Sequence, residues 1–487
     1  MNSIIRIMRP SERKGTAMMA RHTFRAALAL VLLAPLASCD LVVDPTNNVA
    51  PEVATQTIAG VGSLITSVYA RLQGTAFYGN ELIMLGDLMS DNARTSQPAV
   101  NRVGHYQNSI GSHMGDWGAS YQAINEANYA IASARELLDE EPTLANRYMG
   151  EALFQRALLY FDLSRVFSYE PGHDVGGWDT GVVLRTEPTR TASEATFQAR
   201  ASVQEVYTQI EQDLREASGL LGQYGQDDPF RANEAAAEAL LAKVYLYWSK
   251  WDDAIAQATA AMSHTTARLA EPNEVASMFT RAPNVESLFE INYDAATETL
   301  WVNDCSACFT WPHGTWFSMW PSDELLALFE AGDAREALYP ACPDGCPATA
   351  PAGVRYVNKY TEARGSWTDN SPVLRFSDVL LMRAEAYAES GQTSLAQADL
   401  NALRAKRNAA PITASGDALL EAIQDERRRE LAFEGHRWFD LKRRGMDITK
   451  PAFGGNPTLP YTDFRILASL PNNQVQNNPM LVQNPGY

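Results

Sequence analysis

Beyond its first forty residues this 487-residue chain has no stretch approaching eighteen consecutive apolar residues, which excludes a membrane-spanning helix in its body. Histidine is scarce: after residue 38 only His105, His113, His173, His264, His313 and His436 occur, without tight ligand spacing, so neither a metal nor a cofactor is expected. The patterns G-x-S-x-G, H-E-x-x-H and a Walker-type phosphate loop are absent, and nothing specific points to an enzyme. Basic charge is short as well. Residues 1–38 carry six basic and one acidic side chain, leaving 34 Lys and Arg against 57 Asp and Glu, a net of −23. A body this acidic is repelled by phosphate backbones, so no nucleic-acid partner is expected.

What is present begins at the N-terminus. Arg21 and Arg25 precede the run "AALALVLLAPLA" at 26–37, which ends in "LASC" at 36–39. A basic region, a short hydrophobic region and small residues make a signal peptide, here residues 1–38. "LASC" resembles a bacterial lipobox, in which Cys39 is acylated and becomes the first mature residue; several acyl chains anchor a domain firmly. Met18 and Met19 are alternative starts. The polar, proline-containing stretch that follows reads as a tether through residue 55, with a folded domain at 56–487.

Helical periodicity dominates that domain. "SLITSVYARLQG" at 63–74 places Leu64, Val68 and Leu72 on one face, and residues 117–139 repeat apolar side chains at three and four. A second helix at 146–167 follows a short Pro-containing turn, which makes an antiparallel hairpin. The pattern returns at 233–263, broken near 249–251, and again at 376–391 with 394–408. Alanines at facing positions, with Tyr245 and Tyr247 filling the turn, are similar to tetratricopeptide units. The expected fold is mostly α, a tetratricopeptide-like helix-hairpin scaffold carrying long irregular loops.

Those loops are long for a compact protein and rich in aromatics, which favours function over disorder. Residues 284–322 hold Trp301, Trp311, Trp316 and Trp320. Flat rings bury the apolar faces of sugars while polar neighbours meet the hydroxyls, so these four are candidate ligand contacts, with core packing as the alternative for each. Trp320 also precedes a helix start at 321–323 and suits a staple. Asp87, Asp91 and Asn92 end an apolar stretch and either line the same pocket or cap a turn. Cys305, Cys308, Cys342 and Cys346 sit in Pro- and Gly-rich loops, where disulfides and zinc are both open readings and disulfides suit an exported chain better.

The C-terminal half carries three further segments: "LRFSDVLLMRAEAYAESG" at 374–391, "ERRRELAFEGHRWFDLKRRG" at 426–445 and "NNPMLVQNPGY" at 477–487. Together with Trp117, Tyr121, Asn125 and Asn128 on an early helix, they resemble the SusD/RagB family of outer-membrane lipoproteins across essentially the whole mature chain. That resemblance implies a non-enzymatic, cell-surface protein that binds oligosaccharide or a similar nutrient and delivers it to a SusC-like TonB-dependent transporter. A surface glycan hydrolase and a protein-binding helical-repeat adaptor are the competing readings. In the 426–445 motif, Glu426, Glu430 and Glu434 are expected to meet Arg427, Arg429 and Arg437 as weak exposed pairs at helical spacing, in a structural role.

Overall fold

The computed structural model describes residues 55–95, 102–191, 193–225, 227–294, 296–298, 305–312, 317–343, 353–450 and 458–487. The signal peptide, Cys39 and the tether up to residue 54 lie outside them. The longer helices are α1 (Ile58–Leu72), α2 (Glu81–Met89), α3 (Trp117–Glu136), α4 (Pro142–Phe167), α5 (Val203–Tyr224), α6 (Glu234–Tyr247), α7 (Trp251–Ser263), α8 (Phe376–Glu389), α9 (Thr393–Ala405), α10 (Asp417–Leu431) and α11 (Arg437–Arg443). Among the described residues no helix is long and apolar enough to cross a membrane.

Local chemistry sets several starts. Thr57, Asp116, Ser202 and Asn233 each accept a first-turn backbone N–H, and Ser202 forms a reciprocal capping box with Glu205. The helix expected from 146 begins instead at Pro142, because the fixed φ of proline suits a first helical position and its missing N–H costs nothing there. Ser249, at φ +57°, turns the chain between α6 and α7.

The helices form the expected stack. α1 packs on α3, α3 on α4, and so on through α8 on α9, with α8 meeting α7 although the loop-rich insert separates them in sequence. Every residue of α6 from Ala235 to Tyr247 is buried, and the alanines permit this close packing on both sides. Short antiparallel ribbons root the insert: β1 (Ala93–Thr95) pairs with β3 (Met319–Pro321), and β2 (Ser287–Ile291) pairs with β4 (Ser371–Arg375). Asn233 fastens α6 to this root by donating to the Leu288 carbonyl at 3.2 Å.

The 426–445 motif behaves differently from its expectation. Its ions are buried, and most reach distant partners. Glu430 accepts from Arg407 at 2.8 and 2.9 Å, from Arg335 at 3.1 Å and from Arg375 at 3.2 Å. Glu434 binds Lys359 and Arg375, Arg427 binds Asp378 and Asp440, and Arg437 binds Asp91. Glu426 keeps a near partner, Arg429, while also binding Arg335 and Arg404, and Asp440 pairs with Arg443 three residues on. Burial alone would raise the Glu430 carboxyl, yet Arg407, Arg375 and Arg335 hold it well below the usual range. Gly435, at φ +81°, lets this segment touch α2: a Cβ there would lie 1.9 Å from the Leu82 carbonyl oxygen.

Candidate ligand-binding site

Three loop segments converge beside α1 and α2. Cys305 and Cys308 are joined as a disulfide, closing "CSAC" on itself at the head of a single helical turn, Ser306–Thr310. Asn80 donates to the Cys305 carbonyl at 3.1 Å, which ties this turn to the start of α2. Trp311 follows, half-buried against the core, and its backbone N–H donates to the Ala307 carbonyl. Cys342 is also disulfide-bonded, while Cys346, Trp301 and Trp316 lie outside the described residues.

The second segment, 361–370, folds over the disulfide. Asp369 accepts the N–H groups of Thr361 and Glu362 at 3.2 and 3.0 Å. Burial pushes its carboxyl up to about 6 despite those bonds. Glu362 accepts in turn from the Trp367 N–H, and its carboxylate lies within 4.8 Å of both cysteine sulfurs. Because those sulfurs are bonded to each other, the trio offers no thiolate to a metal. Glu362 and Trp367 both have left-handed φ, +56° and +64°, a conformation that bulky side chains adopt only when surrounding contacts enforce it.

Arg364 links this loop to the third segment, 292–298, through Asn370, the Tyr293 carbonyl and Asn292. The Tyr293 hydroxyl donates to the Gln73 carbonyl at 2.9 Å, and the Gln73 amide reaches Glu298 at 3.0 Å. These segments carry two half-buried tryptophans, Trp311 and Trp367, the Arg364 guanidinium and the Glu298 and Glu362 carboxylates on a braced backbone. Trp367, Glu362 and Arg364 are not among the candidates read from the sequence, whose aromatic set comes from residues 284–322.

The other candidates fall elsewhere. Trp320 is buried in β3 opposite Arg94 and packs on Phe317 at 6.1 Å between ring centres. Ser322 starts the following helical turn, within the expected 321–323, by accepting the Leu325 N–H at 3.2 Å. Asp87 and Asn92 are fully buried, with Asn92 donating to Asp87 at 2.7 Å and accepting from Arg428 at 2.8 Å. Asp91 is paired with Arg437 at 2.7 Å. These three face the C-terminal motif, so the pocket-lining expectation for them is corrected: their polar atoms serve the frame.

The early-helix motif also holds backbone. Tyr121 donates to the Val183 carbonyl at 2.7 Å, Asn128 to Arg185 and Glu187, and Asn125 both donates to and accepts from Thr189. Beside it lies a cleft of about 420 Å³ walled by Trp117, Tyr121 and Ile124 on α3, by Thr189, and by Gln474 and Leu481.

Comparison with known proteins agrees with this frame. A family model described as starch-binding and associating with the outer membrane matches residues 44–246, and the SusD family model matches residues 343–487. The chain belongs to the SusD/RagB family. Proteins of this family bind glycans at the cell surface, work with SusC-type transporters and are not enzymes; this member is accordingly an outer-membrane, lipid-anchored protein that faces the cell surface. SusD-like proteins P2 and P38 of Formosa agariphila are 27% and 26% identical, each alignment covering 94% of this chain and 98% of the relative. A SusD superfamily structure from Bacteroides thetaiotaomicron superposes with a TM-score of 0.79 at 24% identity, over 88% of this chain and 100% of that one. A laminarin-binding SusD-like protein gives 0.67 at 26% identity, over 88% and 99%.

Proposed function

We propose that this SusD/RagB member captures an oligosaccharide on the rim formed by segments 292–298, 305–312 and 361–370, and passes it to its own TonB-dependent transporter. The observation that carries the reading is the pair of half-buried indoles, Trp311 and Trp367, on backbone braced by the Cys305–Cys308 disulfide and by Asp369. Rings held this way lose little freedom on binding, and Glu298, Glu362 and Arg364 supply hydrogen-bonding partners for hydroxyls. Trp301 and Trp316 belong to the same stretch of sequence and extend the proposed contact set. The laminarin-binding relative makes a β-glucan the first ligand to try.

In this reading residues 1–38 are removed, Cys39 carries the lipid, 39–55 is the tether and 56–487 is the binding domain. Mass spectrometry of the mature N-terminus checks the anchor: an acylated Cys39 is expected, and the lipid is lost in Cys39→Ala.

Calorimetry of the purified protein against laminarin and a panel of plant, algal and microbial oligosaccharides tests the binding. At least one glycan binds, Trp311→Ala weakens it about tenfold or more with the helical spectrum unchanged, and no reducing ends are released. Release of reducing ends overturns the binding-protein reading in favour of a hydrolase. Binding to none of the glycans shifts the site to another nutrient or to a protein partner.

A further inference from the structure

Outside the glycan rim, one cluster of donor side chains has no part in the frame described above. Glu234 and Glu238 lie four residues apart on one face at the start of α6, and His264 stands at the C-terminal end of α7. The hairpin between the two helices brings them together: His264 Nδ1 is 2.9 Å from Glu238 Oε2 and 3.6 Å from Glu234 Oε1, with all three donor atoms within 4.8 Å of one another. From these positions we infer that Glu234, Glu238 and His264 bind one divalent transition-metal cation of the zinc type, linking the two ends of the α6–α7 hairpin.

The spacing suits such an ion. Bonds of about 2.0–2.1 Å in tetrahedral array set neighbouring donors roughly 3.3 Å apart, and the two observed separations bracket that value. The donor chemistry suits it too, since imidazole with carboxylates is a zinc-type set, whereas calcium and magnesium favour oxygen alone. Charge supplies a separate argument. The carboxylates of the C-terminal core are matched by arginine or lysine, but among the described residues neither Glu234 nor Glu238 pairs with either cation. Glu238 is nevertheless buried, with 8% of its side chain exposed, and a dication would balance the two carboxylates together, which a single imidazolium cannot.

Two neighbours hold the donors in place. A Cβ at Gly222 of α5 would lie 2.5 Å from Glu234 Oε1, so glycine there lets the carboxylate turn inward instead of reaching into solvent. Asp227 accepts from the Thr266 N–H at 2.7 Å and from its hydroxyl at 2.6 Å, fixing the chain just past His264. With 42% of its side chain exposed, His264 leaves a path for the ion, and water completes the coordination. The sequence hid this set because its acids stand 26 and 30 residues before the histidine.

The test is titration of the purified full-length protein with zinc chloride by calorimetry, with melting temperature followed in parallel. One equivalent binds and the melting temperature rises. His264→Ala and Glu234→Gln, both at partly exposed positions, each weaken binding at least tenfold and abolish the rise, while the control His173→Ala leaves both intact. The site is refuted if no stoichiometric binding is seen, or if zinc binding survives both substitutions. Calcium matching zinc with no dependence on His264 would trace the heat to the acidic surface and refute it equally.

Discussion

Along α5 and α6, burial is achieved by Ile210, Leu214, Leu241 and a row of alanines. Around α10 the same dryness surrounds Glu430, Arg375, Arg407 and Arg335, all exposed by 1% or less along their side chains. The first region tolerates imperfect geometry, because dispersion and hydrophobic contacts are non-directional. The second tolerates little: each buried ion is acceptable only while its partners stand at hydrogen-bonding distance. Such a network is a means of fixing one arrangement of β4, α8, α10 and the loop root, whatever its net stabilisation.

The sharpest way to separate the two regions is to remove one ion. Glu430→Ala removes the carboxylate shared by three buried guanidinium groups and leaves an excess of positive charge among them, so a loss of about 3–5 kcal/mol is expected in chemical denaturation. Leu214→Ala, on α5 in the helix stack, is expected to cost less, about 2–3 kcal/mol, from lost transfer energy and a cavity. If the leucine proves the costlier change, the ionic core is not the more exacting region. Replacing both Cys305 and Cys308 by serine opens only a short loop and is expected to cost about 2 kcal/mol on entropic grounds. Its larger effect should fall on glycan affinity, through looser placement of Trp311.

Acid offers a fourth comparison, at the seam where the His113 ring meets Trp438 of α11 edge-on at 5.3 Å. Burial lowers His105 to about 4 and His113 to about 3. With the folded value below the unfolded one, the unfolded chain binds these protons first. The stabilisation from keeping both rings neutral is therefore complete above about pH 6.5 and is lost as pH falls through 4 and 3. The carboxylates of the ionic core, lowered as Glu426 and Glu430 are, add their own loss as the pH falls below about 4. Denaturation at stepped pH should show both phases, and His113→Gln should flatten the first by about 1.4 kcal/mol per pH unit. The smallest effect is expected on the surface: Arg135→Ala breaks an open pair with Glu216 and should change stability by under about 0.5 kcal/mol.

The same contrast explains what could be read in advance. Leu64, Val68 and Leu72 announce their face by spacing, and so do the hairpins, because apolar periodicity reports burial directly. Charged residues carry the opposite signal. Glu430 and Arg427 look solvated in sequence, and their partners Arg375 and Asp378 lie 55 and 49 residues away, beyond any local pattern. Asp87 and Asn92 misled for the same reason: a polar side chain at the end of an apolar run looks like a pocket wall until the motif that binds it is in view. At the proposed rim, aromatic density drew attention to Trp311, whereas the left-handed backbone at Trp367 has no signature in residue type alone.

The pairing of Asp91 with Arg437 joins residues 346 positions apart, and it bears on how the molecule matures. A polypeptide threaded outward from its amino end presents α2 and Asp91 long before the segment that must neutralise and cover them has crossed. Until then Asp87, Asp91 and Asn92 remain hydrated, and the apolar side of α2 has no lid. Helical hairpins can form as they emerge, since their contacts are local, but closure of the core must await almost the entire chain. Export and folding are thereby ordered in time: an open, translocation-competent chain first, and the locked body only on the far side of the membrane.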